Sequence, residues 1–285
     1  MTALDAAALD GVGRPVLLTG RRASWLRILA ISRRHAYVLW RSPHRFFDIA
    51  FWPVVDVLLW GSLGVFVSTQ TADADRAGAT YLLAGIVLFH VLFQSHISVA
   101  TGFLEETWSR NVLNLMVTPL RELEYAAGVA LFGLAKLVMA MGVVTGTAVA
   151  GYSFDPGALG WGVIPIAAVL LATGWAVSLF VIGVVLRFGQ SAEIMAWAII
   201  FLMLSLSGAF YPIEALPGML QPLGAVLPTT YAFEAMRALL DGEPMPWGLL
   251  GIAAGMTVVT AVAGVAFAAH MLRVFRRGGY VTRFS

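Results

Sequence analysis

The chain has no cysteine, and only 12% of its 285 residues are charged. The first absence excludes disulfides and thiolate metal sites. The second leaves too little polar surface to cover a soluble globule, since 59% of the residues are hydrophobic and mean hydropathy is +0.83. Also missing are a GxxxxGKS/T phosphate loop, an HExxH pair and a GxSxG elbow with a plausible histidine partner. Nucleotide hydrolysis and the common hydrolytic chemistries therefore have no visible home, and the chain is expected to catalyse nothing itself. His90 and His96 do not share a helical face and nothing nearby completes a ligand set, so no metal site is expected either.

What the chain does have is a series of long apolar runs. A helix rises about 1.5 Å per residue, so roughly 20 apolar residues cross a hydrocarbon core of about 30 Å with every backbone amide satisfied internally. Six runs qualify, at 46–68, 80–103, 123–151, 159–186, 191–211 and 247–272. The expected fold is an all-α polytopic membrane protein. Of 18 Lys and Arg, eight precede the first run and four follow the last, which puts both termini in the cytoplasm by the positive-inside rule. Because the basic residues hug span ends, topology and anionic lipid account for them, and no nucleic-acid partner is expected.

Four non-spanning pieces interrupt the apolar pattern. After a cytoplasmic tail at 1–23, residues 24–45 open with SWLRILAISRRHAYVLWRS. Here Trp25, Ile28, Leu29, Ala36, Leu39 and Trp40 share one helical face, and Arg27, Arg34 and Arg41 repeat every seven residues opposite them. This predicts an amphipathic interfacial helix, serving as membrane anchor, partner dock or both. The second piece, FLEETWSRNVLNLMVTPLRELEY, places four carboxylates and two arginines between two spans. Leu104, Trp108, Val112 and Leu115 recur at helical spacing, and Glu106 stands four before Arg110. A cytoplasmic helix over about 104–118 follows, with Pro119 at the first position of the third span. The third piece, 211–245 with its flanks, carries prolines 212, 217, 222, 228, 244 and 246 yet stays apolar. Continuous helix is impossible there, so re-entrant half-helices between spans five and six are expected, with Thr229 or Thr230 as a cap. The fourth, 273–285, is a basic cytoplasmic tail. Within the spans, Asp56 and Lys136 each carry an insertion cost that mutual pairing would reduce.

The segments LEETWSRNVLNLMVTPL and SGAFYPIEALPGMLQPLGAVLPTTYAFEAMR, set in a domain covering 46–272, resemble the ABC-2 type permease family, the membrane subunits of ABC exporters. The resemblance implies a permease that dimerises, as a homodimer by expectation, above two copies of a separate ABC ATPase subunit. ATP and Mg would bind that partner, with no cofactor on this chain. Glu105, Glu106, Trp108, Arg110, Asn111 and Asn114 would lie on the helix meeting the ATPase. The segment holding Tyr211, Pro212, Glu214, Pro217, Pro228, Tyr231, Glu234 and Arg237 would form the outer gate. A bacterial-type inner membrane location follows, as does export of a lipid-like, amphipathic drug-like or lipid-linked glycan cargo. The alternatives are a stand-alone ion-coupled secondary transporter and an intramembrane lipid or glycan transferase.

Overall fold

A computed structural model describes residues 20–70, 77–108 and 117–277. Every described element is helical: α1 (Arg21–Trp40), α2 (Pro43–Gln70), α3 (Ala77–Trp108), α4 (Glu122–Tyr152), α5 (Val163–Phe188), α6 (Glu193–Leu206), α7 (Gln221–Ala225), α8 (Pro228–Leu240) and α9 (Trp247–Arg277). Short 3-10 turns at Pro156–Gly162, Gly189–Ala192 and Ile213–Ala215 join them.

Among the described residues, five helices are long and apolar enough to cross a membrane, with candidate spans at Ile49–Thr69, Ala79–Glu106, Leu123–Tyr152, Pro156–Phe188 and Trp247–Phe275. The run predicted as the fifth of six spans is shorter than expected. Its helix, α6, has 14 residues, about 21 Å at the α-helical rise. The chain leaves the helix at Ser207 and turns through Gly208, whose φ of 65° is left-handed. That turn brings the Tyr211 hydroxyl back to donate to the Ser205 carbonyl at 2.5 Å.

α3 is the hub. Of its apolar window 89% is buried, against 28% for the first span and 22% for the last. α5, α4 and α2 pack around it, and α9 lies along α5. Close approach depends on small residues: a Cβ at Gly174 of α5 would meet Ser95 Oγ and lie 2.7 Å from the Leu92 carbonyl of α3. Several polar groups in this interior are satisfied locally. Ser95 Oγ donates to Leu92 O at 2.8 Å, His96 Nε2 lies 3.0 Å from Ala196 O on α6, and Thr173 and Thr257 share a hydrogen bond of 2.7 Å between α5 and α9. The outward faces of α2, α4, α6 and α9 remain apolar, as lipid contact requires.

Other local expectations are revised. Pro119 precedes α4 without entering it; the helix starts at Glu122, with Arg121 as N-cap and Glu124 closing a capping box. Pro228, at the first position of α8, starts that helix ahead of Thr229, and Thr230 Oγ1 donates to Gly224 O at 2.6 Å in place of capping. Asp56 lies 3.4 Å from His90 Nε2, so its contact is a histidine on α3 and not Lys136.

Replacing Gly174 with Ala should push α5 off α3 and lower the thermal midpoint of detergent-purified protein, at a cost of about 1–3 kcal/mol. Gly142→Ala, where nothing lies within 4 Å of the new methyl, is the control and should leave the midpoint unchanged or slightly raised.

Candidate functional site

The charged residues that stood out in the sequence converge at one end of the bundle. α1 lies beside the first turns of α4, and its contacts advance in step along both helices. Arg27 meets Glu124, Ile31 meets Gly128 and His35 stacks on Phe132, with ring centroids 5.6 Å apart. Each contact is four residues beyond the last on both helices, so the two run in the same direction. Gly128 permits this, because a Cβ there would stand 2.7 Å from Ile31 Cβ and 2.9 Å from the Ile28 carbonyl oxygen.

Two arginine forks fix α1 in place. Arg27 donates from Nε to Glu124 Oε2 at 2.7 Å and from Nη2 to Oε1 at 2.8 Å. The same carboxylate accepts from Ser24 Oγ and, at 3.1 Å, from the Arg121 backbone N–H. Glu124 sits in the first turn of α4, where the helix dipole favours negative charge. One turn further along α1 from Ile31, Arg34 forms a second fork with Glu106 near the end of α3, its Nη2 donating to Oε2 at 3.0 Å. The Glu106 side chain is 2% exposed. Bidentate arginine pairs of this kind are directional as well as strong.

The two faces of α1 have different surroundings. Arg27 and Arg34 face the protein, whereas Trp25, Leu29, Ala36 and Trp40 are exposed. Arg41, the third of the heptad series, stays exposed at the helix end. The remaining face of α1 borders a groove of about 730 Å³ lined by Ala30, Arg33, Arg34, Tyr37, Val38 and Arg41.

Of the residues expected to meet an ATPase, Glu105, Glu106 and Trp108 belong to the last turn of α3, in unbroken helix with the second span. Glu106 is turned inward to Arg34 in place of facing out as a contact. Arg110, Asn111 and Asn114 lie outside the described residues. The outer-gate residues gather at the opposite end. Tyr231 donates to Ala225 O at 3.0 Å, and Arg237 Nη1 donates to the Gly208 carbonyl. Glu214 lies in the 3-10 turn Ile213–Ala215, Pro212 precedes that turn, and Pro217 and Glu234 lie further along the same segment. Sequence reasoning missed Ser24, His35 and Gly128, none of which carries a local signal apart from the helix they punctuate.

A family model described as ABC-2 type transporter matches residues 27–240. The chain belongs to the ABC-2 type transporter family. No curated protein matches it in sequence. Membership implies that this ABC-2 chain is a permease subunit of an ABC transporter and that an ABC ATPase is its partner. The match begins at Arg27 and so includes both arginine forks of α1.

His35 adds a pH term to the clamp. Burial holds its imidazole below the ordinary value, outweighing the pull of Glu106, whose Oε1 is 3.8 Å from Nε2. Just below about pH 6.5 the unfolded chain binds a proton that the folded protein does not, so this contribution is present above that pH and lost as pH falls. Between about pH 7.5 and about 5.5 the wild type should therefore lose more thermal stability than His35→Phe. For the fork, Arg34→Met strands a buried carboxylate and should cost about 2–4 kcal/mol, of which adding Glu106→Gln should recover at least half. Equal losses in the single and double variants would mean that the pair is not coupled.

Proposed function

We propose that the chain is the transmembrane permease of an ATP-driven exporter whose ion-paired end faces the cytoplasm and receives two ATPase subunits. The observation that carries this reading is the clamp itself. Two forks bridge 97 and 72 residues of sequence and join α1 to the start of the third span and the end of the second. A loop that merely connected two spans would need only about two to eight residues and no such bracing.

On this reading the ATPase seats against the groove of α1, where Arg33 and Arg41 remain exposed, and against the segment that follows Trp108. Closure of the two ATPases moves α1 and the end of α3 as one body. Arg34–Glu106 transmits the displacement to the second span and Arg27–Glu124 to the third, shifting the balance between inward-open and outward-open states. Glu106 acts here by holding α1, while Glu105 and Trp108 stand nearer the ATPase. The cargo is lipid-like, an amphipathic drug or a lipid-linked glycan, moving between two copies of the permease in a bacterial-type inner membrane.

One observation favours a second reading. The Asp56–His90 contact is a titratable pair at membrane depth, which a proton-coupled transporter acting alone would use.

Co-purification with an ATP-binding subunit and ATP-dependent transport in vesicles test the first reading. The double variant Arg27→Gln/Arg34→Gln should retain ATPase association yet lose at least about tenfold of ATP-driven transport, since its lever is unpinned. Wild-type transport in that variant, or uphill transport by the chain alone, would sink the proposal.

A further inference from the structure

We propose that a cavity at the end of the bundle opposite the clamp binds the anionic headgroup of a membrane lipid, with Arg237 as its counter-charge and the outer half of α2 as its hydrocarbon track. The cavity measures about 480 Å³, within the range of small-molecule pockets. Trp60, Leu63 and Val67 of α2, Tyr81 of α3, Tyr211 after the Gly208 turn and Arg237 of α8 form its walls.

Arg237 makes the site more than an apolar recess. Its guanidinium is half-buried and donates from Nη1 to the Gly208 carbonyl, its one hydrogen bond among the described residues. No described carboxylate lies within 4 Å of it. Asp241, the acid that follows it on the same helix, is engaged by the Tyr81 hydroxyl, and Glu214 and Glu234 act on Arg237 only through longer-range attraction. Burial works against the charge, yet arginine does not give up its proton. A cation held this way keeps Nε and Nη2 for a forked acceptor, and phosphate or carboxylate supplies one.

The rest of the cavity selects an amphipath over a soluble anion. Trp60 is stacked on Phe210 at 3.8 Å between ring centroids, giving a flat apolar wall. Leu63 and Val67 follow it at three and seven residues along α2, so all three share one helical face. Both are exposed, which opens the recess toward the side of the bundle where acyl chains lie. Charge at the deep end and hydrocarbon toward the membrane match a phospholipid of the adjoining leaflet.

This inference rests on the membrane reading of the spans and not on the ATPase partnership, so the two fail separately. Purified full-length protein, with any ATPase that co-purifies, is titrated in neutral detergent with phosphatidylglycerol or phosphatidylcholine of identical chains, and retained lipid is counted by native mass spectrometry. The wild type should retain phosphatidylglycerol about tenfold more tightly, and Arg237→Gln, which removes the cation, should abolish that preference. Leu63→Trp, which fills the hydrocarbon side, should weaken both lipids. Equal retention of the two lipids, or an unchanged preference in Arg237→Gln, would overturn the proposal. So would displacement of phosphatidylglycerol by inorganic phosphate alone, which would mark a site for soluble anions. If Arg237→Gln fails to fold, Leu63→Trp decides, and undiminished phosphatidylglycerol binding in that variant counts against the site.

Discussion

A carboxylate with 2% of its side chain exposed, at the end of a helix otherwise fit to cross a membrane, cannot stand alone. Glu106 must be neutralised by a cation that reaches it, because an unpaired buried charge costs several kcal/mol. Arg34 is that cation, and it comes from a helix that precedes the first span. Once Arg34 is committed, α1 cannot float free of the bundle. It must lie against α3 and α4 with its arginines inward, and Gly128 must lack a side chain for it to come close enough. The exposure of Trp25 and Trp40 follows from the same constraint. Both are amphipathic rings that suit a membrane interface once the polar face is taken by protein.

Inside the bundle the opposite solution prevails. α3 buries His90, Gln94, Ser95, His96 and Ser98, and His90, Ser95 and His96 turn polar atoms to carbonyls of their own or neighbouring helices, with Asp56 of α2 beside His90. Small residues make that possible. Gly174 against Leu92 and Ser95, and Gly264 against the Ala176 carbonyl, bring backbones near enough for van der Waals packing to hold helices that gain nothing from hydrophobic burial in lipid. The charged end, by contrast, is joined by long side chains over longer distances.

Much of this was legible in the sequence, and the failures have definite causes. The apolar runs located the spans, because twenty residues without charge have few other fates. The heptad arginines and the carboxylates between the second and third spans were both conspicuous. Their pairing was not, since Arg27 to Glu124 and Arg34 to Glu106 are contacts between elements far apart in the chain, which only packing decides. Periodicity placed the arginines of α1 opposite its apolar face but did not name the acids they meet. The fifth span was overextended because 207–211 carries no charged residue, and hydropathy does not register the left-handed turn at Gly208. His35 was passed over because a lone histidine between arginines reads as one more polar residue.

That same turn explains an arginine far from the clamp. A helix that stops at Leu206 while still in apolar surroundings leaves carbonyls without intrahelical donors. No water is at hand in a hydrocarbon layer, so the protein itself must supply them. The Tyr211 hydroxyl takes the Ser205 carbonyl and Arg237 takes that of Gly208. α8 therefore packs with Arg237 directed at the turn, and Phe233 and Met236 beside it are buried. The Gly208 carbonyl takes one of the five N–H groups of the guanidinium. The surplus of donors on Arg237 beyond the single carbonyl is thus unexplained by structure alone, and it is this surplus that gives the cavity its affinity for an anion.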